Sequence, residues 1–446
     1  YAYHANRRFA LAEQAFIDAL VEMNEETRCE WSDLSRILDG DLRSRYRDLG
    51  CAERAPLQRR ILWLADPFHS VDGNELATEH YSRQVYSALL KEAESPEGDR
   101  WGGDMHRIVM RYGWTYGWER VRTNALSQLR PSIKGHLAHG AKYFLPTADI
   151  LDHPADTEPS EWNLEPHLPR AGHAPAYALG AFHTLAHQLA GFLRGDSLIL
   201  ATTFELIDDS VPPDAEIQAA LVFTADEFTP PRIVRQVFHS NSGAMTITVP
   251  NTAQLMSYEL LAPEQQRAAR ARFGIEPSRL LTIAPPLPSD TARGPLPHFD
   301  ALSRPALSGV LITTVRDSLP ESLDAAIAAA RPNTRMRPGE RFGLYWELYG
   351  AGAAVHRITT SLTLTKQGKS LFKRIVGVFG LGSDKPPVSL EWIDAPSPDR
   401  DMYPRAVAVD LPANLPDGFY QLRLQVVLQD GRSMEVEKGI EVRSGQ

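Results

Sequence analysis

The segments FGLYWELY (342–349) and PDGFYQLRLQVVLQDG (416–431) decide the fold of the C-terminal third of this chain. The first segment alternates between two faces, which is the period of a half-buried strand. The alternating residues are Leu344, Trp346 and Leu348 on one face and Tyr345, Glu347 and Tyr349 on the other. The second segment combines a turn, a long strand and a hairpin signal at Asp430-Gly431. Together they predict a β-sandwich, and Tyr420 after Asp417-Gly418 resembles the tyrosine corner of immunoglobulin-like sandwiches.

Working outward from these segments, the sequence predicts a multidomain α+β protein. A helical N-terminal region with a small β-hairpin is followed by two immunoglobulin-like β-sandwich domains. Alternation of Ile108, Met110 and Tyr112 predicts the first strand of that hairpin. The predicted ranges are 1–130 for the helical region, 131–176 for an extended linker, 177–300 for the first sandwich, 301–337 for a Pro-rich connector and 338–446 for the second sandwich.

Composition narrows the class of protein. The 446 residues are 43% hydrophobic and 23% charged, as in soluble globular proteins, and the length suggests several domains. A net charge of −9 argues against a nucleic-acid partner. No apolar run is long enough to cross a bilayer, so no transmembrane segment is expected. Because the chain begins at Tyr1, we expect that an upstream segment is removed and that the protein is extracytoplasmic, in the periplasm or at the cell surface.

The two cysteines, Cys29 and Cys51, both lie in the helical region. In an oxidising compartment they would form a disulfide that closes one loop and stabilises the fold by about 3 kcal/mol. Two buried thiols are the alternative. The sequence leaves both open and makes this pair the disulfide candidate.

Three segments carry a resemblance to a known family: LADPFHSVDGNELATEHYSRQVY (64–86), GDRWGGDMHRIVMRYGWTYGWERV (98–121) and GERFGLYWELYG (339–350). In this order they resemble the secreted bacterial proteins that carry a GWxTD domain. The motif itself departs from the family pattern, because Gly113-Trp114-Thr115 is not followed by Asp. The chain is therefore similar to a divergent branch. The family has no settled activity, so the resemblance implies an envelope-associated protein rather than a reaction.

An aromatic cluster between residues 101 and 118 is the first candidate binding site. Its members are Trp101, Tyr112, Trp114, Tyr116 and Trp118, with Arg111 among them. Exposed rings beside an arginine could stack on sugars or form a hot spot for protein binding. The same rings could instead pack at the junction between helices and hairpin.

Two further constellations could carry chemistry. Glu75 and Glu79 share a face of a predicted helix and could act as an acid–base pair, although Glu79 four residues before Arg83 is also typical of a solvated ion pair. His183 and His187 would point at one metal if their segment were helical, but packing histidines are the favoured interpretation, so no metal and no cofactor are expected.

The segment 366–382, KQGKSLFKRIVGVFGLG, couples basic and apolar residues. As a protruding loop it could contact a membrane surface, and as a strand pair it would be sandwich core.

The chain lacks the local signatures HExxH, GxSxG, the Walker loop, GxGxxG after a strand and paired CxxC. The sequence therefore favours a non-catalytic envelope or cell-surface protein that acts through protein–protein interaction with other envelope proteins in a larger assembly. A carbohydrate-binding or carbohydrate-acting protein that uses the aromatic cluster on a glycan is the alternative.

Overall fold

The structure is a computed structural model of the 446-residue chain. It describes residues 1–38, 40–91, 102–113, 117–121, 132–136, 145–162, 172, 173, 175, 177, 182–250, 252, 254–275, 280–285, 304–315, 318–350, 357–367, 388–395 and 402–444, with the backbone alone at 117, 118, 120, 121, 132–136 and 182–184.

Helices dominate the N-terminal part, and antiparallel strands dominate the rest. The α-helices are α1 (Ala2–Ala5), α2 (Phe9–Glu22), α3 (Glu25–Trp31), α4 (Gly40–Arg47), α5 (Cys51–Ala65), α6 (Glu75–Leu89), α7 (Gly103–Tyr112), α8 (Ala148–Asp152) and α9 (Leu323–Ala328). The strands are β1 (Gly117–Val121), β2 (Ser132–His136), β3 (Phe182–Thr184), β4 (Ala186–Arg194), β5 (Ser197–Glu205), β6 (Glu216–Thr224), β7 (Arg232–His239), β8 (Ser242–Pro250), β9 (Gln254–Ala262), β10 (Arg267–Ile275), β11 (Leu281–Ile283), β12 (Ala306–Ser308), β13 (Leu311–Thr314), β14 (Arg335–Met336), β15 (Arg341–Tyr349), β16 (Ile358–Lys366), β17 (Val388–Asp394), β18 (Met402–Asp410), β19 (Gly418–Leu428) and β20 (Ser433–Val442).

The chain forms two compact units, and it passes between them several times. Unit 1 comprises Tyr1–Thr184, Asp208–Ser240 and Gln254–Ile275, and unit 2 comprises Leu185–Ile207, Asn241–Ala253 and Glu276–Gln446. The strands of the predicted first sandwich, 177–300, are thus divided between the units. The predicted class, a helical N-terminal region followed by a β-rich region of several antiparallel sheets, is confirmed.

Unit 1 contains helices and a five-stranded sheet of order β3-β10-β9-β6-β7, in which only the β3–β10 pair is parallel. Asn24 and Asn74 cap α3 and α6 by accepting backbone N–H bonds at 2.8 Å, which satisfies donors that a helix start leaves unpaired. Leucine, isoleucine and tyrosine side chains from α4, α5 and α6 form the largest helical core of this unit. Within it, the Tyr46 hydroxyl accepts the backbone N–H of Leu34 at 3.1 Å.

The short strands β1 and β2 pair antiparallel, but β2 lies beyond residue 130, where the predicted hairpin region ended. The predicted first strand, which placed Ile108, Met110 and Tyr112 on one face, is wrong, because these residues lie in the helix α7. Ile108 is 48% exposed, whereas Val109 and Met110 are buried and Met105 lies one turn before Val109. The buried residues therefore follow a helical period and not the alternating one.

The predicted extended linker 131–176 also contains regular structure. It holds β2, α8 and two short 3-10 helices, Pro154–Asp156 and Pro159–Trp162. Trp162 is buried, and its indole N–H donates to the Thr157 hydroxyl at 2.7 Å. The predicted connector 301–337 likewise holds β12, β13, α9 and β14.

The described residues of unit 2 form three sheets. One is β4-β5-β8, the second is β11-β12-β15-β13 with β18 on the free side of β15, and the third is β14-β20-β19-β16-β17. Leu344, Trp346 and Leu348 of β15 pack with residues of β16, β19 and β20 in one sandwich core. This is the second predicted sandwich. The Tyr420 hydroxyl donates to the Pro416 carbonyl at 2.7 Å, which is the geometry of a tyrosine corner.

Strand β15 is buried on both faces rather than on one. Tyr345 packs with Ala190 and Phe192 of β4 in a second apolar cluster of unit 2. Glu347 is fully buried and accepts two hydrogen bonds from the Arg194 guanidinium at 2.6 and 2.9 Å. The sheet that holds β4 therefore covers the face that the sequence alone placed toward solvent.

Cys29 and Cys51 are joined in a disulfide, with their Cα atoms 5.8 Å apart. Among the helices that the structure describes, none is long and apolar enough to span a membrane.

Candidate functional site

The ionisable residues of unit 1 collect around helix α6 and the segment that precedes it. The helix buries its polar side, including Glu75, Thr78, His80 and Arg83, so the interpretation of a solvated helix face is wrong. Buried polar groups need partners. Those partners come from distant parts of unit 1.

Strands β9 and β10 hold the segment that leads into α6. Both carboxylate oxygens of Glu259 accept backbone N–H groups, one from His69 and one from Ser70, each at 2.9 Å. Arg270 donates to the carbonyls of Asp66 and Pro67 at 3.1 and 2.7 Å. These charges are buried, and their hydrogen bonds fix a loop that has no regular structure of its own.

Arg272 is the third charged residue on this face of the sheet, and we call Glu259, Arg270 and Arg272 the platform residues. Its guanidinium donates to the Leu64 carbonyl at 2.8 Å and lies 3.5 Å from Glu259. Ser257 donates to the same carboxylate at 2.6 Å. Register places Ser257 opposite Arg272 and Glu259 opposite Arg270, so the four polar residues share one face of the sheet.

A buried carboxyl pair lies behind this loop. The Tyr177 hydroxyl donates to Glu75 at 2.6 Å, while the second carboxyl oxygen of Glu75 and the Oδ1 atom of Asp66 have no hydrogen-bond partner among the described residues. Burial raises the pKa of Glu75 to about 8, and the nearby Glu259 adds to this, although the Tyr177 bond opposes it. Burial, with Glu75 nearby, also raises the pKa of Asp66 well above its usual range. Glu75 therefore retains its proton at neutral pH.

One turn along the helix, Glu79 behaves in the opposite way. Burial alone would raise its pKa, but Arg83 at 2.6 Å and His4 at 2.8 Å hold the pKa well below the usual range. Arg83 also donates to the carbonyls of Met110 and Gly172 at 3.1 and 2.7 Å. The predicted Glu79–Arg83 pair is confirmed, and it is an internal pair within α6 rather than a surface pair, with both members also bonded to distant segments.

A cleft of about 290 Å³ opens on the same face of the sheet. Register places Ala220 between Arg235 of β7 and Glu259 of β9, so a small side chain leaves a hollow between two long ones. Phe68 and Val71 of the loop also line the cleft. Glu75 and Asp66 do not line it, and the Phe68 ring, stacked on Tyr177 at 5.2 Å, packs against the tyrosine that holds Glu75. The carboxyls of Glu75 and Asp66 are therefore internal and do not face the cleft.

Strand β7 forms one end of the sheet and pairs only with β6 among the described strands. Its sequence RIVRQVFH contains two arginines and no acidic residue. Val237 is 53% exposed beside the cleft. The strand thus offers an apolar and basic edge.

Most of the sequence-predicted aromatic cluster lies outside the described residues. This is true of Trp101, Trp114 and Tyr116, and only the backbone of Trp118 is described, in β1. Arg111 donates to the Tyr112 hydroxyl at 2.7 Å, and its guanidinium lies 4.8 Å from that ring. The carbohydrate-binding role of this cluster stays a prediction.

The histidine pair does not have the helical geometry that a shared metal requires. His183 lies in β3 and His187 in β4, and His187 bonds to the Leu185 carbonyl at 2.8 Å. Among the side chains that the structure describes, no three His, Cys, Asp or Glu could hold one metal ion. Of the proposed membrane-contact segment 366–382, residues 368–382 lie outside the described part.

Sequence reasoning missed β10 and the platform residues Glu259, Arg270 and Arg272. The available signal was the period of two in ARARF (269–273), in which Arg270 and Arg272 alternate with apolar residues. That pattern indicates a strand with a charged face. It does not show that the charged face is buried.

Comparison with known protein families finds no match, and comparison with curated proteins finds none either. Among solved structures, a glycosyl hydrolase family 2 member from Bacteroides cellulosilyticus is 8% identical with a TM-score of 0.19, over 56% of this chain and 29% of that one. A protein from Corynebacterium diphtheriae described as membrane-anchored is 11% identical with a TM-score of 0.18, over 60% of each chain. The chain thus spans less than two thirds of either protein. Because both TM-scores are low, neither similarity carries an argument about this chain.

Proposed function

We propose that this chain is a non-catalytic, extracytoplasmic binding protein of the cell envelope. In this proposal, the edge of β7 and the adjacent cleft receive an extended segment of another envelope protein. The observation that carries the proposal is an eight-residue edge strand beside a preformed hollow. Extended segments bind such edges by adding a strand, with main-chain bonds giving affinity and side-chain pockets giving specificity.

The chemistry of the edge defines the partner. Arg232 and Arg235 give β7 basic side chains within a chain of net charge −9. Arg235 also donates to the Ser70 carbonyl at 2.7 Å and lies 3.7 Å from the Asp72 carboxylate, so Arg232 contributes the larger part of the positive charge. Val237 and the loop residues Phe68 and Val71 supply apolar surface next to these charges. The segment that fits alternates apolar and acidic residues, because side chains of an added strand face the cleft at every second position.

The disulfide supports the compartment. Bonds such as Cys29–Cys51 form and persist in oxidising environments and are rare in the cytosol. Alkylation of intact cells before lysis tests this point. We expect both thiols to be protected, and free thiols in the native protein would contradict the proposed location.

A peptide selection tests the binding function directly. A displayed library of linear peptides is selected against the purified chain, and the affinities of enriched peptides are measured for the wild type, Val237→Lys and Val21→Lys. Val21 is a matched control, because it is 69% exposed on α2. A lysine on an edge strand opposes strand addition, so Val237→Lys should lose at least about tenfold in affinity while Val21→Lys loses none.

Backbone N-methylation of a selected peptide separates strand addition from simple surface adhesion. Methylation removes the donors that an added strand uses and leaves every side chain in place. Peptides that bind Val237→Lys and Val21→Lys equally, or that tolerate methylation at every position, would refute the proposal. A wild-type dimer in sedimentation that Val237→Lys converts to monomer would show that β7 pairs with a second copy instead.

A further inference from the structure

Unit 2 contains a second cleft, of about 330 Å³, on the outer face of the sheet that holds β19 and β20. Register places Arg335, Glu441 and Phe419 in one row across β14, β20 and β19. In the neighbouring row the β20 position is Gly439, opposite Gln421. The hollow therefore lies where this face has no side chain.

The lining combines an exposed ring with hydrogen-bonding side chains. Phe419 is 60% exposed, although the neighbouring Tyr420 and Ile440 are buried in the sandwich core. Gln367 and Asn333 also line the cleft, where the Gln367 amide donates to Gln421 and the buried Asn333 amide donates to Glu205. An exposed ring beside planar polar groups is characteristic of recognition surfaces for ligands that are apolar on one side and polar on the other.

Arg335 has hydrogen-bond donors in this cleft that its ion pair with Glu441 does not use. The Nε atom of Arg335 donates to Glu441 at 2.8 Å, and the other oxygen of Glu441 accepts from Arg443 at 2.6 Å. The two terminal nitrogens of Arg335 make no hydrogen bond to any residue in the described part of the chain. The Arg335 side chain is 41% exposed, so its two terminal nitrogens can donate hydrogen bonds to a ligand in the hollow.

We infer that this cleft binds a sugar residue of a glycan, with the ring of Phe419 against an apolar sugar face and Arg335 donating to its oxygens. A pyranose has one face of C–H groups and a rim of vicinal hydroxyls, so it matches both an aromatic ring and a forked donor. Glu441 bonds to both Arg335 and Arg443, so this cluster keeps one positive charge. The exposed ring of Phe419, for which a free phosphate has no apolar face, is what favours a sugar. The volume lies at the lower end of the range of about 300–1,000 Å³ for ligand pockets, which suits one or two rings.

Saturation-transfer NMR on the intact chain tests the inference. The probes are glucose, N-acetylglucosamine, galacturonic acid and the disaccharides cellobiose and chitobiose, at millimolar concentrations. We expect transfer to at least one probe. Phe419→Ala should weaken binding of that probe about three- to tenfold, the value of one aromatic contact.

Gly439→Leu is the sharper variant, because a Cβ at this position would meet no atom within 4 Å. The leucine can therefore fill the hollow without a clash, and we expect it to abolish transfer. Two controls are matched to the two variants: Phe228→Ala removes a ring that is 65% exposed in unit 1, and Gly103→Leu also adds a side chain in open space.

Unchanged circular dichroism and melting temperature would show that each variant folds. Transfer that is lost in Gly439→Leu and weakened in Phe419→Ala, but kept in both controls, supports the sugar site. Absence of transfer to every probe, or transfer that both cleft variants leave unchanged, overturns it. The outcome is independent of the β7 edge, which lies in unit 1.

Discussion

The pH dependence of stability gives a direct test of whether the buried carboxyl of Glu75 is protonated. Burial raises the pKa of its carboxyl to about 8, from an ordinary value of 4.5. Between these pH values the folded protein keeps a proton that the unfolded chain has released. With respect to this one group, the free energy of unfolding is therefore highest below pH 4.5 and falls as the pH rises toward 8.

Each pH unit in this window is equivalent to about 1.4 kcal/mol, so the loss reaches about 5 kcal/mol across the window and about 3 kcal/mol at pH 7. Glu75→Gln resembles the protonated carboxyl and cannot ionise. Its amide carbonyl can still accept the Tyr177 hydroxyl. The variant should equal the wild type near pH 4.5 and exceed it by about 3 kcal/mol at pH 7.

Urea unfolding at several pH values measures these free energies, with Glu79→Gln as the matched control one turn along the same helix. Glu79 is ionised and paired with Arg83, so neutralising it should destabilise the protein by about 3–5 kcal/mol at pH 7. The two variants are therefore expected to shift stability in opposite directions. Equal destabilisation by both at pH 7 would refute the assignment of a protonated Glu75.

Three further predictions concern other parts of the chain. Replacing Cys29 and Cys51 by serine removes a cross-link between residues separated by 22 positions, and it should lower the free energy of unfolding by about 3 kcal/mol. Urea titrations measure this change, and an unchanged unfolding midpoint would contradict the prediction. Tyr420→Phe removes the hydrogen bond to the Pro416 carbonyl and should lower stability by about 1 kcal/mol, whereas no change would show that the corner is dispensable. Glu347→Gln removes the buried carboxylate that pairs with Arg194, whose side chain is 32% exposed, and should cost about 1.5–3 kcal/mol, the value of hydrogen bonds to a charged group; a fully stable variant would show that this pair is not needed.

Local pattern was sufficient to predict many strands of this fold. Apolar segments separated by turn residues predict strands over SLILATTFEL (197–206) and GAMTITVP (243–250), and these coincide with β5 and β8 to within one residue. The signal lies within each segment and its flanking turn residues. A helix over about residues 74–93 is predicted from the helical spacing of Ala77, Tyr81, Val85 and Ala88, and α6 spans Glu75–Leu89.

Burial of polar residues could not be predicted in this way. Glu75 and Glu79 look like solvated helix residues, because their partners Tyr177 and His4 lie far away in sequence. Glu259 bonds to a loop 190 residues earlier. A local pattern shows which side chains share a face, but only the tertiary structure shows what covers that face.

Unit 1 is discontinuous, and this has a consequence for biosynthesis. The helices emerge first, but the strands that hold the loop before α6 end only at Ile275. Until then the nascent N-terminal region lacks its arginine contacts, and such a chain is exposed to off-pathway association. We therefore expect that expression of the first 184 residues alone yields aggregated material, and that the shortest tractable fragment of unit 1 extends through β10.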